Sequence, residues 1–175
     1  MAPDRHDPPK KSRRAKKGAR QLPTLAEFLV EAEVLVAQAR AMLERDKAHG
    51  PILFCFGPTG LTHIVAIKGE SSRPMHQIVR AAVRKTKAQA FIFVDESWMV
   101  AGTPGDPGLL RVPPSRHPER RECLTVFAVH PEGRTAWTIP FAREGGTITF
   151  GQVKQMSGAN VGGGLAEALG EEGRP

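Results

Sequence analysis

The sequence predicts an α+β fold: one domain with a mainly antiparallel sheet of about five to six strands and two helices packed on one face. Three observations carry this expectation. Residues 25–48 and 72–87 repeat apolar side chains at helical spacing. Short runs rich in Val, Ile, Phe and Thr are separated by Gly/Pro turns of hairpin length. The element order α, β, β, α, β, long loop, β, β, β is not the strict alternation that builds a parallel sheet. A chain of 175 residues has room for one core of ordinary domain size.

Residues 1–21 contain Pro8-Pro9 and the cluster Lys10, Lys11, Arg13, Arg14, Lys16, Lys17, with almost no apolar group to offset the entropy of ordering. They read as a disordered basic arm. Thr24-Leu25-Ala26-Glu27 has capping-box spacing and opens a helix whose apolar positions include Leu25, Phe28, Ala32, Leu35, Ala39 and Met42. Gly50, after Arg45, Lys47 and His49, supplies the stop signal. Residues 51–56 and 62–68 form a hairpin around Gly57-Pro58-Thr59-Gly60. Ser71 or Ser72 then caps the second helix, which carries Met75, Ile78, Val79, Ala82 and Val83 inward. At about 100° per residue, Arg73, Arg80, Arg84 and Lys87 gather on its opposite side as a stripe of one sign.

Residues 90–96, Ala-Phe-Ile-Phe-Val-Asp-Glu, are apolar on both faces of a strand and end in two adjacent carboxylates, which places the strand mid-sheet and Asp95 and Glu96 at its rim. A loop over 101–118 with five prolines and three glycines follows. Residues 123–129 and 135–141 form a second hairpin around His130-Pro131-Glu132-Gly133, and 147–150 add a short strand. The folded domain is thus expected over 22–156, with a flexible Gly-rich tail at 157–175.

The net charge of +7 is uneven: residues 1–20 hold eight Lys/Arg against Asp4 and Asp7 (+6), 21–156 hold sixteen against thirteen (+3), and 157–175 one against three (−2). Cys55 and Cys123 sit in apolar strand patterns without metal-ligand spacing and read as buried thiols. No apolar run approaches the roughly 18 residues that cross a bilayer, so a cytoplasmic protein without membrane contact is expected. Nothing calls for a cofactor. Gly57-Pro58-Thr59-Gly60 resembles a phosphate loop, yet Thr62, His63 and Ile64 stand where that motif needs Gly, Lys and Ser/Thr.

Asp95, Glu96, His117 and Glu122 are the candidate metal ligands, and Glu96, His117 and Glu122 the candidate catalytic groups. Neighbours on a strand point to opposite faces, so Asp95 and Glu96 reach one ion only across a bend or bulge. The simpler expectation pairs these carboxylates with Arg116, Arg120 or Arg121 and pins the loop.

The segments Ala90–Met99 and Pro114–Val126 carry a strand ending Glu-x-Trp-Met and a loop Pro-Ser-x-x-Pro-x-x-x-Glu. In these the chain resembles small bacterial and phage-type proteins. The resemblance implies no activity, but it implies that Glu96, Trp98, Ser115, Pro118 and Glu122 form one unit. The function the sequence favours is a non-enzymatic accessory protein touching nucleic-acid backbone or an acidic partner through its basic arm (Lys10, Lys11, Arg13, Arg14, Lys16, Lys17) and basic helix (Arg73, Arg80, Arg84, Lys87). A small metal-dependent hydrolase centred on Asp95, Glu96 and the 115–122 loop is the alternative, and a protein-interaction module using the 98–112 loop a third.

Overall fold

The computed structural model describes residues 21–68, 73–100, 112–158, 161, 165 and 167–169. The basic cluster of 10–17 and most of the 98–112 loop lie outside them. Helix α1 spans Leu25–Asp46 and helix α2 Met75–Thr86, with strands β1 Ile52–Gly57, β2 Gly60–Ala66, β3 Ala90–Met99, β4 Arg121–His130, β5 Gly133–Glu144, β6 Thr147–Phe150 and β7 Lys154–Ser157. The sheet runs β2-β1-β3-β4-β5-β6, every pairing antiparallel. Strand β5 is long enough to hold β6 along one half and β7 along the other. The α+β class, the single domain and the antiparallel sheet stand; β7 is a strand the sequence pattern did not disclose, its run Lys-Gln-Met-Ser being exposed throughout.

The expected packing of both helices on one face is corrected by the two cores. Ile92 and Val94 join Phe28, Ala32, Ala39 and Leu43 of α1 on one side of the sheet. Phe91 and Phe93 join Val79 and Val83 of α2 on the other. The cause is in β3 itself, where residues 90–94 are all buried although neighbours point opposite ways. A strand apolar on both faces needs a layer on each. The expected flexible end contributes here too, since Ala168 with Leu165 and Leu169 packs into the α2-side core.

Local signals explain the element ends. The capping box is formed: the Glu27 amide donates to Thr24 Oγ1 at 3.3 Å, and the Thr24 amide donates to Glu27 Oε2 at 2.9 Å. At the other end Lys47, not Gly50, takes the left-handed cap with φ 60° and donates its amide to the Leu43 carbonyl at 3.0 Å. Helix α2 begins at Met75 behind Pro74 instead of at Ser72. A residue before proline avoids the helical region, so Arg73 stays outside the helix.

The α1 start is anchored to the β4–β5 turn. His130 Nε2 lies 3.1 Å from the Pro23 carbonyl, and a Cβ at Gly133 would come within 2.9 Å of Leu25 Cδ2. Leu22 packs against the same core. Deleting residues 1–20 is therefore expected to leave the thermal midpoint within a few degrees of the full chain, whereas deleting 1–24 removes cap, anchor and Leu22 together and lowers it well beyond that. Calorimetry of both truncations checks this, and a marked drop for the shorter one would show a docked arm.

Candidate functional site

The geometry of the sheet gathers a charged cluster where β3, β4 and β5 leave the cover of α1. Glu96 continues the α1-facing series of Ile92 and Val94; it lies opposite Leu124, which faces Ile139. One row further out, Trp98 pairs with Glu122, and Glu122 with Phe141. Arg143 follows Phe141 on the same face. Its Nη2 donates to Glu96 Oε1 at 2.7 Å and to the Lys47 carbonyl at 3.2 Å, while Nη1 donates to Glu122 Oε1. One guanidinium thus joins two carboxylates and the negative end of helix α1. The Glu96 hydrogen bond is the main reason its pKa is raised.

His49 completes this corner. Its backbone amide donates to Glu96 Oε2 at 3.2 Å, and its ring is buried with Nδ1 lacking a hydrogen-bond partner among the described residues. Burial lowers its pKa, which keeps the imidazole neutral. Arg120 stacks over the Trp98 ring at 4.8 Å, and Arg143 lies 4.8 Å from the Phe141 centroid.

The unit implied by the resemblance is assembled in part: Glu96 and Glu122 share Arg143, Trp98 is in register with Glu122, and the short turn Pro114–Arg116 that holds Ser115 lies against β3. The expected partners of the carboxylates are corrected. Neither Arg116, Arg120 nor Arg121 takes them, because Arg120 is stacked on Trp98 and the pairing residue comes from β5. Strand alternation was the available signal, since Ile139, Phe141 and Arg143 fall on one face. His117 is not part of the cluster; its Nδ1 accepts the Glu119 amide at 3.1 Å, which closes its own loop.

Asp95 points to the α2 side. Its register with Thr125 is continuous through Glu96 with Leu124, so no bulge turns the two carboxylates together. Among the described residues no group of three or more His, Cys, Asp or Glu is arranged to hold a metal ion. Instead Asp95 neighbours Ser97, Cys123 and Thr125, of which Ser97 Oγ lies 2.9 Å from Thr125 Oγ1 and 3.3 Å from Cys123 Sγ. Burial first, with repulsion from Glu96 adding to it, pushes the Asp95 carboxyl up to about 6. Both cysteines are free and buried, and Thr86 donates its hydroxyl to Cys55 Sγ at 3.3 Å.

The basic residues of α2 lie on the opposite side of the molecule from α1. Arg84 and Lys87 are exposed, Lys87 in the left-handed cap with φ 52°; Arg80 is half-buried, and Arg73 is exposed ahead of the helix. Between Asp46 and Asp95 the sequence has Glu70 against Lys47, Lys68, Arg73, Arg80, Arg84, Lys85 and Lys87. Helix α1 holds Glu27, Glu31, Glu33, Glu44 and Asp46 against Arg40 and Arg45. Packing the helices on opposite faces therefore separates an acidic surface from a basic one. No helix among the described residues is long and apolar enough to cross a membrane.

No curated protein and no solved structure matches the chain. A family profile does, described as Bacteriophage lambda protein ea47, over residues 16–163, which takes in both helices, all seven strands and the Glu96–Arg143–Glu122 cluster. The expected phage-type resemblance is borne out by it, and the chain belongs to the bacteriophage lambda ea47 family.

Proposed function

We propose that the protein is a non-enzymatic phage accessory factor that holds nucleic acid by its phosphate backbone, with the outward face of α2 and the basic arm as the contact. The observation that carries this reading is the single sign of α2. Its twelve residues include Arg80, Arg84 and Lys85 and no acid, and Lys87 caps its end. A solvated helix usually mixes signs, whereas a phosphate-tracking one need not. Lys68 and Arg73 line the shallow hollow beside α2 and extend the same field.

Backbone contact fits better than base reading. The chain has no Tyr, and Phe28, Phe56, Phe91, Phe93 and Phe141 are buried in the cores, which leaves few rings to stack on bases. The clustered carboxylates do not favour a hydrolase, since Arg143 occupies both Glu96 and Glu122.

The test is binding of a labelled DNA duplex at several salt concentrations. Log K is expected to fall with log salt at a slope of roughly −4 to −7, and the double reversal Arg84→Glu, Lys87→Glu to weaken binding about tenfold or more. Affinity independent of salt would overturn the reading. Stronger binding to polyglutamate than to DNA would move it to an acidic protein partner.

A further inference from the structure

Among the described residues, the α1 side of the sheet is only half covered. Six strands at about 4.8 Å spacing span roughly 24 Å, while one helix is about 10 Å across. Helix α1 lies over β4, β5 and β6. Beside it, above β1 and edge strand β2, runs an open groove of about 630 Å³. Its floor is Phe54, Phe56, Leu61 and Ile64, and one wall is Val34 with Leu35. The register shift at Cys55/Phe56 sets Leu61 opposite Phe56 and Ile64 opposite Phe54, so an odd and an even residue of β2 share this face. Ile64 is 62% exposed, Leu61 49% and Val34 47%. Apolar groups this exposed, contiguous along one groove, mark a contact surface.

The charge on the wall narrows the occupant. Among the described residues, Glu27 and Glu31 line the groove and no Lys or Arg does. A second copy would bring the same acidic wall against itself, and nucleic acid would be repelled. We propose that this groove receives an amphipathic helix of a partner protein, apolar along one side and carrying Lys or Arg along the edge that meets Glu27 and Glu31. Such a helix would lie beside α1 as the missing half of its layer, its i, i+3, i+4 and i+7 side chains on Phe54, Phe56, Leu61 and Ile64. The protein would then hold its protein partner on one face of the sheet and leave the α2 face clear.

The test is selection of a display library of helical peptides on the full chain, followed by fluorescence polarisation of one selected peptide. The expected consensus has apolar residues at helical spacing flanked by Lys or Arg. Ile64→Asp or Val34→Asp should weaken the peptide at least tenfold with the thermal midpoint unchanged. Glu31→Lys should weaken it too, and a peptide with its flanking Lys replaced by Glu should regain affinity for that variant. A consensus without basic flanks, or an affinity indifferent to both Ile64→Asp and Val34→Asp, would overturn the proposal. A gain above tenfold on deleting residues 1–20 would assign the groove to the chain's own arm. A dimer in sedimentation that Ile64→Asp dissociates would assign it to a second copy.

Discussion

Replacing Arg143 with leucine is expected to lower the unfolding free energy by about 2–3 kcal/mol, more than removing either carboxylate does. The leucine leaves Glu96 and Glu122 facing one another with no cation between them and the Lys47 carbonyl without its donor. The guanidinium is 31% exposed and each carboxylate 24%, so water screens the pairs and the full cost of a buried pair does not apply. Glu96→Gln should cost about 1 kcal/mol, because it keeps an acceptor for Arg143. In the double variant the two effects should fall short of their sum, the mark of a shared contact. Chemical denaturation of the four proteins checks this. A loss under about 0.5 kcal/mol for Arg143→Leu would mean the cluster is a solvated surface pair. In the same series, Mn²⁺ or Mg²⁺ should leave the midpoints unmoved; a rise in the parent that Glu96→Gln abolishes would restore the metal reading.

Asp95→Asn is expected to act in the opposite direction and stabilise the protein at pH 7.5 by about 1–3 kcal/mol. The Asp95 carboxyl sits at about 6 in the fold against an ordinary 3.8. Because the folded value is the higher one, the native state binds the proton more tightly than the unfolded chain. The cost of the charged form is present above about pH 6 and is relieved as pH falls from there towards 4. Between pH 7.5 and 5 the parent protein should gain about 1 kcal/mol from this group, and the asparagine variant should lack that gain. Denaturation midpoints of the pair across this range measure the difference. Parallel pH profiles would show that hydrogen bonds from neighbouring hydroxyls such as Ser97 and Thr125 offset the burial of the carboxylate.

Most of the fold was written locally. The Thr24–Glu27 capping box, the helical repeats, the hairpin turns at Gly57–Gly60 and at Pro131–Glu132, and the doubly apolar run 90–94 each depend on residues a few positions apart, and each formed. The same is true of the divergence of Asp95 and Glu96, which follows from strand alternation alone. The left-handed cap at Lys47 and the exposed strand β7 left no such trace, because backbone requirements there outweighed residue preference.

What the sequence by itself determined, then, is the α+β class, the single antiparallel sheet and the excess of positive charge between Asp46 and Asp95. The tertiary structure alone decided three things. It placed α2 on the face opposite α1: the doubly apolar run 90–94 calls for cover on both faces, but only the assembled sheet gives Ile92 and Val94 to α1 and Phe91 and Phe93 to α2. It brought Arg143 to Glu96 across 47 positions and to Glu122 across 21, in preference to the arginines that are nearer in sequence. Among the described residues it left the groove above β1 and β2 open, because α1 settled on β4 to β6. In each case the reason is the same: local propensity fixes what an element is, but which surfaces meet is set by burying the most apolar area at once, a property of the whole chain.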